Sequence, residues 1–199
     1  MGLDEQGTRA RFKAEFEDVI LPAVEECGGR IVKTMGDGFL VEYGSIVEAV
    51  RCSMEIQDRL VERQKSRQED QKIRLRIGVH VGDVIIEDDD IHGDGVNIAA
   101  RLESLAEPEG ICISRAAFEQ VRDKLPFPFV DCGEHALKNI SRPIHVYRIS
   151  GGSVPKAPGR IARPAGRRAR TVAAIAAALI VAVAGAWFGL QHFISGSSA

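Results

Sequence analysis

The chain has 199 residues, 45% of them apolar and 27% charged, enough for one domain with its own core and too balanced for a fibrous or disordered polypeptide. Its net charge is −2, but Lys156, Arg160, Arg163, Arg167, Arg168 and Arg170 put +6 into residues 156–170 and leave −8 on residues 1–155. So acidic a domain argues against a nucleic-acid partner.

Residues 8–27 read as one amphipathic helix, with Phe12, Phe16, Val19, Ile20 and Val24 at helical spacing. Gly28-Gly29 ends it. Residues 30–35 and 39–43 are β-type runs joined by Gly36-Asp37-Gly38, good hairpin chemistry. Ser45 can cap a helix over 46–65 whose inner side carries Ile46, Val50, Met54 and Val61. Residues 73–81 alternate strictly, Ile73, Leu75, Ile77, Val79 and Val81 against Arg74, Arg76, Gly78 and His80, which predicts a half-buried strand continuing through 84–86. After the acidic turn 87–90, a helix is expected from Gly95 to Ala106, with Ile98, Leu102 and Leu105 inward. A short strand over 111–113, a helix over 115–123 capped by Ser114, and strands over 127–130 and 144–149 complete residues 1–150 as one domain.

Residues 151–170, rich in Gly, Pro, Ser and Arg, read as a linker. Residues 171–190 are twenty without a charge, long enough to cross a bilayer as a helix, and 191–199 form a short tail. Arginines on the N-terminal side predict that residues 1–170 face the cytoplasm, a single-pass arrangement in the inner membrane. Nothing in residues 1–18 has the apolar stretch of a signal peptide. Cys27, Cys52, Cys112 and Cys132 form no C-x-x-C pair, and each is expected as a small buried hydrophobe. His80, His92, His135 and His145 lack metal-ligand spacing.

Two stretches carry the chemistry: Lys33-Thr34-Met35-Gly36-Asp37-Gly38, and residues 90–101, which hold Asp90, Asn97 and Arg101. Taken alone, Asp37 is explained by its turn, Lys33 and Asp90 by solvation, and the Asn97–Arg101 pair by an exposed helix face. Their order and spacing together resemble class III nucleotide cyclases, and the adenylate cyclases in particular, over residues 1–149. The resemblance implies an α+β, ferredoxin-like βαββαβ fold. It implies that ATP loses pyrophosphate as its 3′-oxygen attacks the α-phosphorus, giving cyclic AMP, in a site shared by a homodimer. Asp37 matches a carboxylate that binds two ions, Mg²⁺ or Mn²⁺. Lys33 and Asp90 match the pair that holds the purine edge. Lysine only donates and ionised Asp only accepts, which suits the N1 acceptor and 6-amino donor of adenine. Asn97 matches the residue that orients the ribose. Arg101 matches the one that binds the α-phosphate as charge builds there, a task suited to a permanent charge and a planar fork of donors. Lys138 matches a lysine on the triphosphate, with a slightly different spacing to Tyr147.

The family's opening strand, which carries a second metal Asp, has no match between Met1 and Thr8, and Asp4 lacks the apolar run that should precede it. The fold is therefore expected with its first strand missing, which leaves the sheet short of a central strand. The rival reading is a catalytically impaired cyclase-homology domain that dimerises or regulates. A diguanylate cyclase would need a G-G-[DE]-E-F stretch, which is absent.

Overall fold

The computed structural model describes residues 5–36, 38–82, 85–87, 90–149 and 177–181. The expected first helix is divided. Helix α1, Glu5–Glu15, passes into a π-helical turn over Phe16–Ile20 and then into α2, Leu21–Glu26. Pro22 stands at the start of α2 and has no N–H for the preceding turn, so the hydrogen-bond ladder widens there. The buried Glu15 carboxylate holds this junction to the end of the next helix, 2.7 Å from Arg67 Nη2 and 3.2 Å from Arg63 Nε.

Strands β1 (Gly29–Met35) and β2 (Gly38–Tyr43) form the expected hairpin, with Gly36 in the left-handed region at φ 65°. Their register shifts between Ile31 and Lys33, so Val32 is the extra residue of a bulge. Helix α3 spans Ile46–Arg63, preceded by Ser45, whose side chain makes no capping bond. The strand expected over 73–81 is reduced to β3, Ile77–Val79. Side chains on α3 and at its C-terminal cap explain the loss: Gln57 Nε2 donates to the Leu75 carbonyl at 3.1 Å, Gln64 Nε2 donates to the Ile73 carbonyl at 3.0 Å, and Ile73 N donates to Gln64 Oε1 at 2.6 Å. These backbone groups have partners without a strand ladder.

Residues 85–87 do not prolong β3. They form β4 (Ile85–Glu87), which pairs with β5 (Asp90–His92) as a separate small hairpin. Helix α4 (Asp94–Leu105), β6 (Ile111–Ser114), α5 (Arg115–Val121), β7 (Phe129–His135) and β8 (Ile144–Ile149) follow in the expected order. Ser114 caps α5, accepting from Ala117 N at 3.3 Å. The main sheet has the order β1-β2-β9-β3-β6-β8-β7.

Strand β9, Ala177–Val181, bears on two expectations. It lies between β2 and β3 and runs antiparallel to both, in the place and direction that a ferredoxin-like pattern assigns to an opening strand. The sheet therefore has a central strand, and this strand comes from the run expected to be a membrane helix. An uncharged run suits a strand covered on both faces as well as a buried helix, and periodicity alone does not separate the two. The rest of residues 171–190, the linker at 151–170 and the tail at 191–199 lie outside the described residues. Among the described residues no helix is long and apolar enough to cross a membrane.

The two faces of the sheet are covered unequally. Phe39, Val41, Ile77, Val79, Ile111 and Ile113 point into the main core beneath α2, α3 and α5. Each such side chain, fully removed from water, contributes about 1.5–3 kcal/mol. The alternate residues Leu40 and Cys112 face α4 in two smaller clusters. Cys52 and Cys112 are buried as expected, but Cys132 is exposed and Cys27 is half-buried.

Candidate active site

Helix α4 is seated on the sheet through a glycine. A Cβ on Gly78 would stand 2.2 Å from the Ala99 carbonyl oxygen and 2.4 Å from Glu103 N. Gly78 therefore lets the backbone of α4 rest directly on β3, the close approach that a glycine inside a strand often marks. Ala99 also packs with Leu40, Val32 and Val96, so the bulge residue of β1 ties the hairpin to the same helix. Leu102 is buried and Ile98 partly buried, but Leu105, expected inward, is 38% exposed. On the outer side Asn97 is exposed and Arg101 half-buried, one turn apart. Backbone bonds to the Gly93 carbonyl, from Val96 N at 3.2 Å and Asn97 N at 3.4 Å, start the helix below them.

Lys33 lies on β1 opposite Leu40 and is half-buried. Asp90 opens β5 opposite Glu87. Strand β5 touches both β1 and α4, so the backbones that carry Lys33, Asp90 and the Asn97–Arg101 pair are brought together. Asp37 lies outside the described residues, between Gly36 and Gly38 in the hairpin turn.

Lys138 is placed elsewhere. It is exposed in the connection from β7 to β8, beside Asn139 at φ 66°. Strands β2, β3 and β6 run in one direction and β8 runs against them, so this connection lies at the end where β2 finishes. The Gly36–Gly38 turn lies at the end where β2 begins. Strands β1 and β7 are moreover the opposite edges of the sheet. A single copy does not bring Lys138 to the hairpin turn.

The buried His80 follows β3. Its Nδ1 is 2.8 Å from Ser114 Oγ, which also accepts from Ala117 N. Ser114 Oγ thus ties the His80 ring to the start of α5. Burial holds the His80 pKa down at about 4. The ring edge lies against Gly82, where a Cβ would be 2.9 Å from His80 Nε2 and 3.4 Å from Gly95 Cα. His80 thus props the passage from β3 toward the start of α4. The sequence signals for this support were Gly78 inside a strand and Ser114 ahead of a helix. Nothing in the spacing marked His80 as their partner.

Among the described residues no three His, Cys, Asp or Glu gather to hold a metal ion. Strand β9, with the sequence AALIV, brings no carboxylate into the centre of the sheet. The described residues do not fit the two-ion centre that the resemblance implies, and no chemical step is assigned to one.

The family model for the adenylate and guanylate cyclase catalytic domain matches residues 18–151. A relative from Rhizobium meliloti (strain 1021), named "Putative adenylate cyclase 3", is 42% identical over 162 residues, 81% of this chain and 28% of that protein. The chain thus spans less than a third of that relative's length. The crystal structure of an adenylate/guanylate cyclase/hydrolase from Silicibacter pomeroyi superposes with a TM-score of 0.67 at 41% identity, over 74% of this chain and 85% of that one. The adenylyl cyclase CyaB from P. aeruginosa shares the fold, with a TM-score of 0.62 at 24% identity over 76% of this chain and 86% of that one.

Proposed function

The chain belongs to the adenylate and guanylate cyclase catalytic domain family, and on that premise we propose that it is of the adenylate type, converting ATP to cyclic AMP in a site assembled from two copies. The observation that carries this reading is the meeting of β1, the strand of Lys33, with β5, the strand that Asp90 opens. Lys33 would donate to adenine N1 and Asp90 accept from the 6-amino group, a pattern that guanine reverses. Asn97 would hold the ribose. One turn further along α4, Arg101 would meet the negative charge that grows at the α-phosphate as the 3′-oxygen attacks. The separation of Lys138 from the hairpin turn supports a site completed by a second copy, since a two-fold pair makes two equivalent sites. Mixing an Asp37→Ala chain with an Arg101→Ala chain tests the shared site. Cyclic-AMP formation should return in the mixture, and its absence from proven mixed dimers would sink the shared-site reading.

One observation favours a second reading, a dimerising or regulatory domain without turnover. The strand at the centre of the sheet carries no acidic side chain. Selective binding of ATP by a dimer that releases no cyclic nucleotide would select that reading. The membrane expectation is a separate arm, because residues 171–190 cannot supply β9 and cross a bilayer as a helix at the same time. Fractionation of the expressed chain separates the two states.

A further inference from the structure

Four elements meet beside the main core at a pair of thiols. Cys27 closes α2, Cys52 lies on α3, Tyr43 ends β2, and Gly29 begins β1. The two residues meet at one carbonyl: Cys27 N donates to Ala23 O at 3.1 Å, and Cys52 Sγ reaches the same oxygen. Tyr43 Oη donates to Cys52 Sγ at 2.8 Å, and Cys52 Sγ lies 3.4 Å from the Ala23 carbonyl. Cys27 Sγ lies 3.8 Å from Glu55 Oε2. A side chain on Gly29 would collide with the Tyr43 ring, 2.6 Å from Cε1, so the glycine is what admits Tyr43 to this place. Cys52 is fully buried and Cys27 is half-buried, so one sulfur is open to a small oxidant and the other waits behind it.

We propose that Cys27 and Cys52 are a redox-active pair, in which Cys27 is the sulfur oxidised first and Cys52 resolves it to a disulfide. The oxidant is a hydroperoxide. The Cys27 thiolate, its proton given up to solvent, attacks a peroxide oxygen. The O–O bond breaks, hydroxide leaves, and Cys27 becomes a sulfenic acid. Cys52 sulfur then attacks the Cys27 sulfur, the S–S bond forms, and the S–O bond breaks. The Cys52 proton departs with the released hydroxide as water. In total two thiols and one hydrogen peroxide give one disulfide and two waters. The neighbouring Cys52 lowers the Cys27 pKa, while Cys27 and burial raise that of Cys52. This order of acidity makes Cys27 the more nucleophilic sulfur near neutral pH. The arrangement is specific to this pair. Cys112 on β6 and Cys132 on β7 are separated by β8, so their Cα atoms stand about 10 Å apart at the usual strand spacing, too far for a disulfide.

The test treats the folded full chain with hydrogen peroxide, blocks remaining thiols with iodoacetamide, and digests with trypsin without reductant. The expected product is peptide 14–30 joined to peptide 52–59, reversed by dithiothreitol, with Cys112 and Cys132 alkylated. Cys27→Ser should abolish the cross-link and leave Cys52 unoxidised at the same peroxide dose. Cys52→Ala should leave Cys27 as a sulfenic acid, trapped by dimedone. Separate alkylation of Cys27 and Cys52 after peroxide would overturn the proposal. So would a cross-link that forms only in urea.

Discussion

Acidification should weaken this fold through His80 before its carboxylates titrate. The folded protein holds the His80 pKa at about 4 against an ordinary value of 6.5, because the buried ring accepts a proton poorly. The unfolded chain binds that proton more readily, so stability falls as pH falls. The contribution is complete above pH 6.5, declines from there toward about 4, and falls no further below that. At about 1.4 kcal/mol per unit the whole loss is about 3 kcal/mol, a large share of the stability of a small domain. Urea unfolding should be followed from neutral pH downward for the chain and for His80→Gln. The variant begins less stable, because Ser114 Oγ loses its ring partner, but it should lack this one-proton slope. The two curves should converge as pH approaches about 4. Parallel curves would show that His80 does not titrate with folding and would refute the neutral, Ser114-bonded ring.

Three further outcomes follow from particular contacts. Gly78→Ala should cost roughly 1–3 kcal/mol in urea unfolding, because its Cβ meets backbone that cannot turn aside, and wild-type stability would show that α4 does not rest on β3. Glu15→Ala should destabilise by roughly 1–3 kcal/mol, since the partly exposed Arg63 and Arg67 lose a shared carboxylate but regain water; a loss within experimental error would mean that solvent replaces it fully. Ile180 pairs with Leu40 on one side and Gly78 on the other, so Ile180→Pro should cost about 3 kcal/mol or more. Amides 177–181 should exchange with solvent as slowly as those of β2 and β3, and fast exchange in the intact chain would remove β9 from the sheet.

The sequence was most informative where one face of an element is buried and the other is wet. The alternation of Phe39, Leu40 and Val41 between the two cores, and the stripe of Ile46, Val50 and Met54 on α3, follow periods of two and 3.6 residues, though Val61, expected on the same inner side, is exposed. Reading failed where side chains replaced backbone partners, as Gln57 and Gln64 do beside residues 73–75. At residues 177–181 the run has no alternation, and an uncharged stretch of that kind suits a strand and a helix alike. The site residues lie far apart along the chain. Nothing local announces that β1 will touch β5, so the pairing of Lys33 with Asp90 came from the resemblance. The thiol pair was invisible for the same reason, with 24 residues between its members.

The central claim is the choice of nucleotide and its cyclisation. The direct measurement gives the purified chain equimolar ATP and GTP with Mg²⁺ or Mn²⁺ and quantifies both cyclic products by mass spectrometry. Cyclic AMP should form in clear excess over cyclic GMP, with that excess lost in Lys33→Glu, because a site built on specific hydrogen bonds rejects a base that reverses them. Equal yields of the two products, or a preference for cyclic GMP, would contradict it.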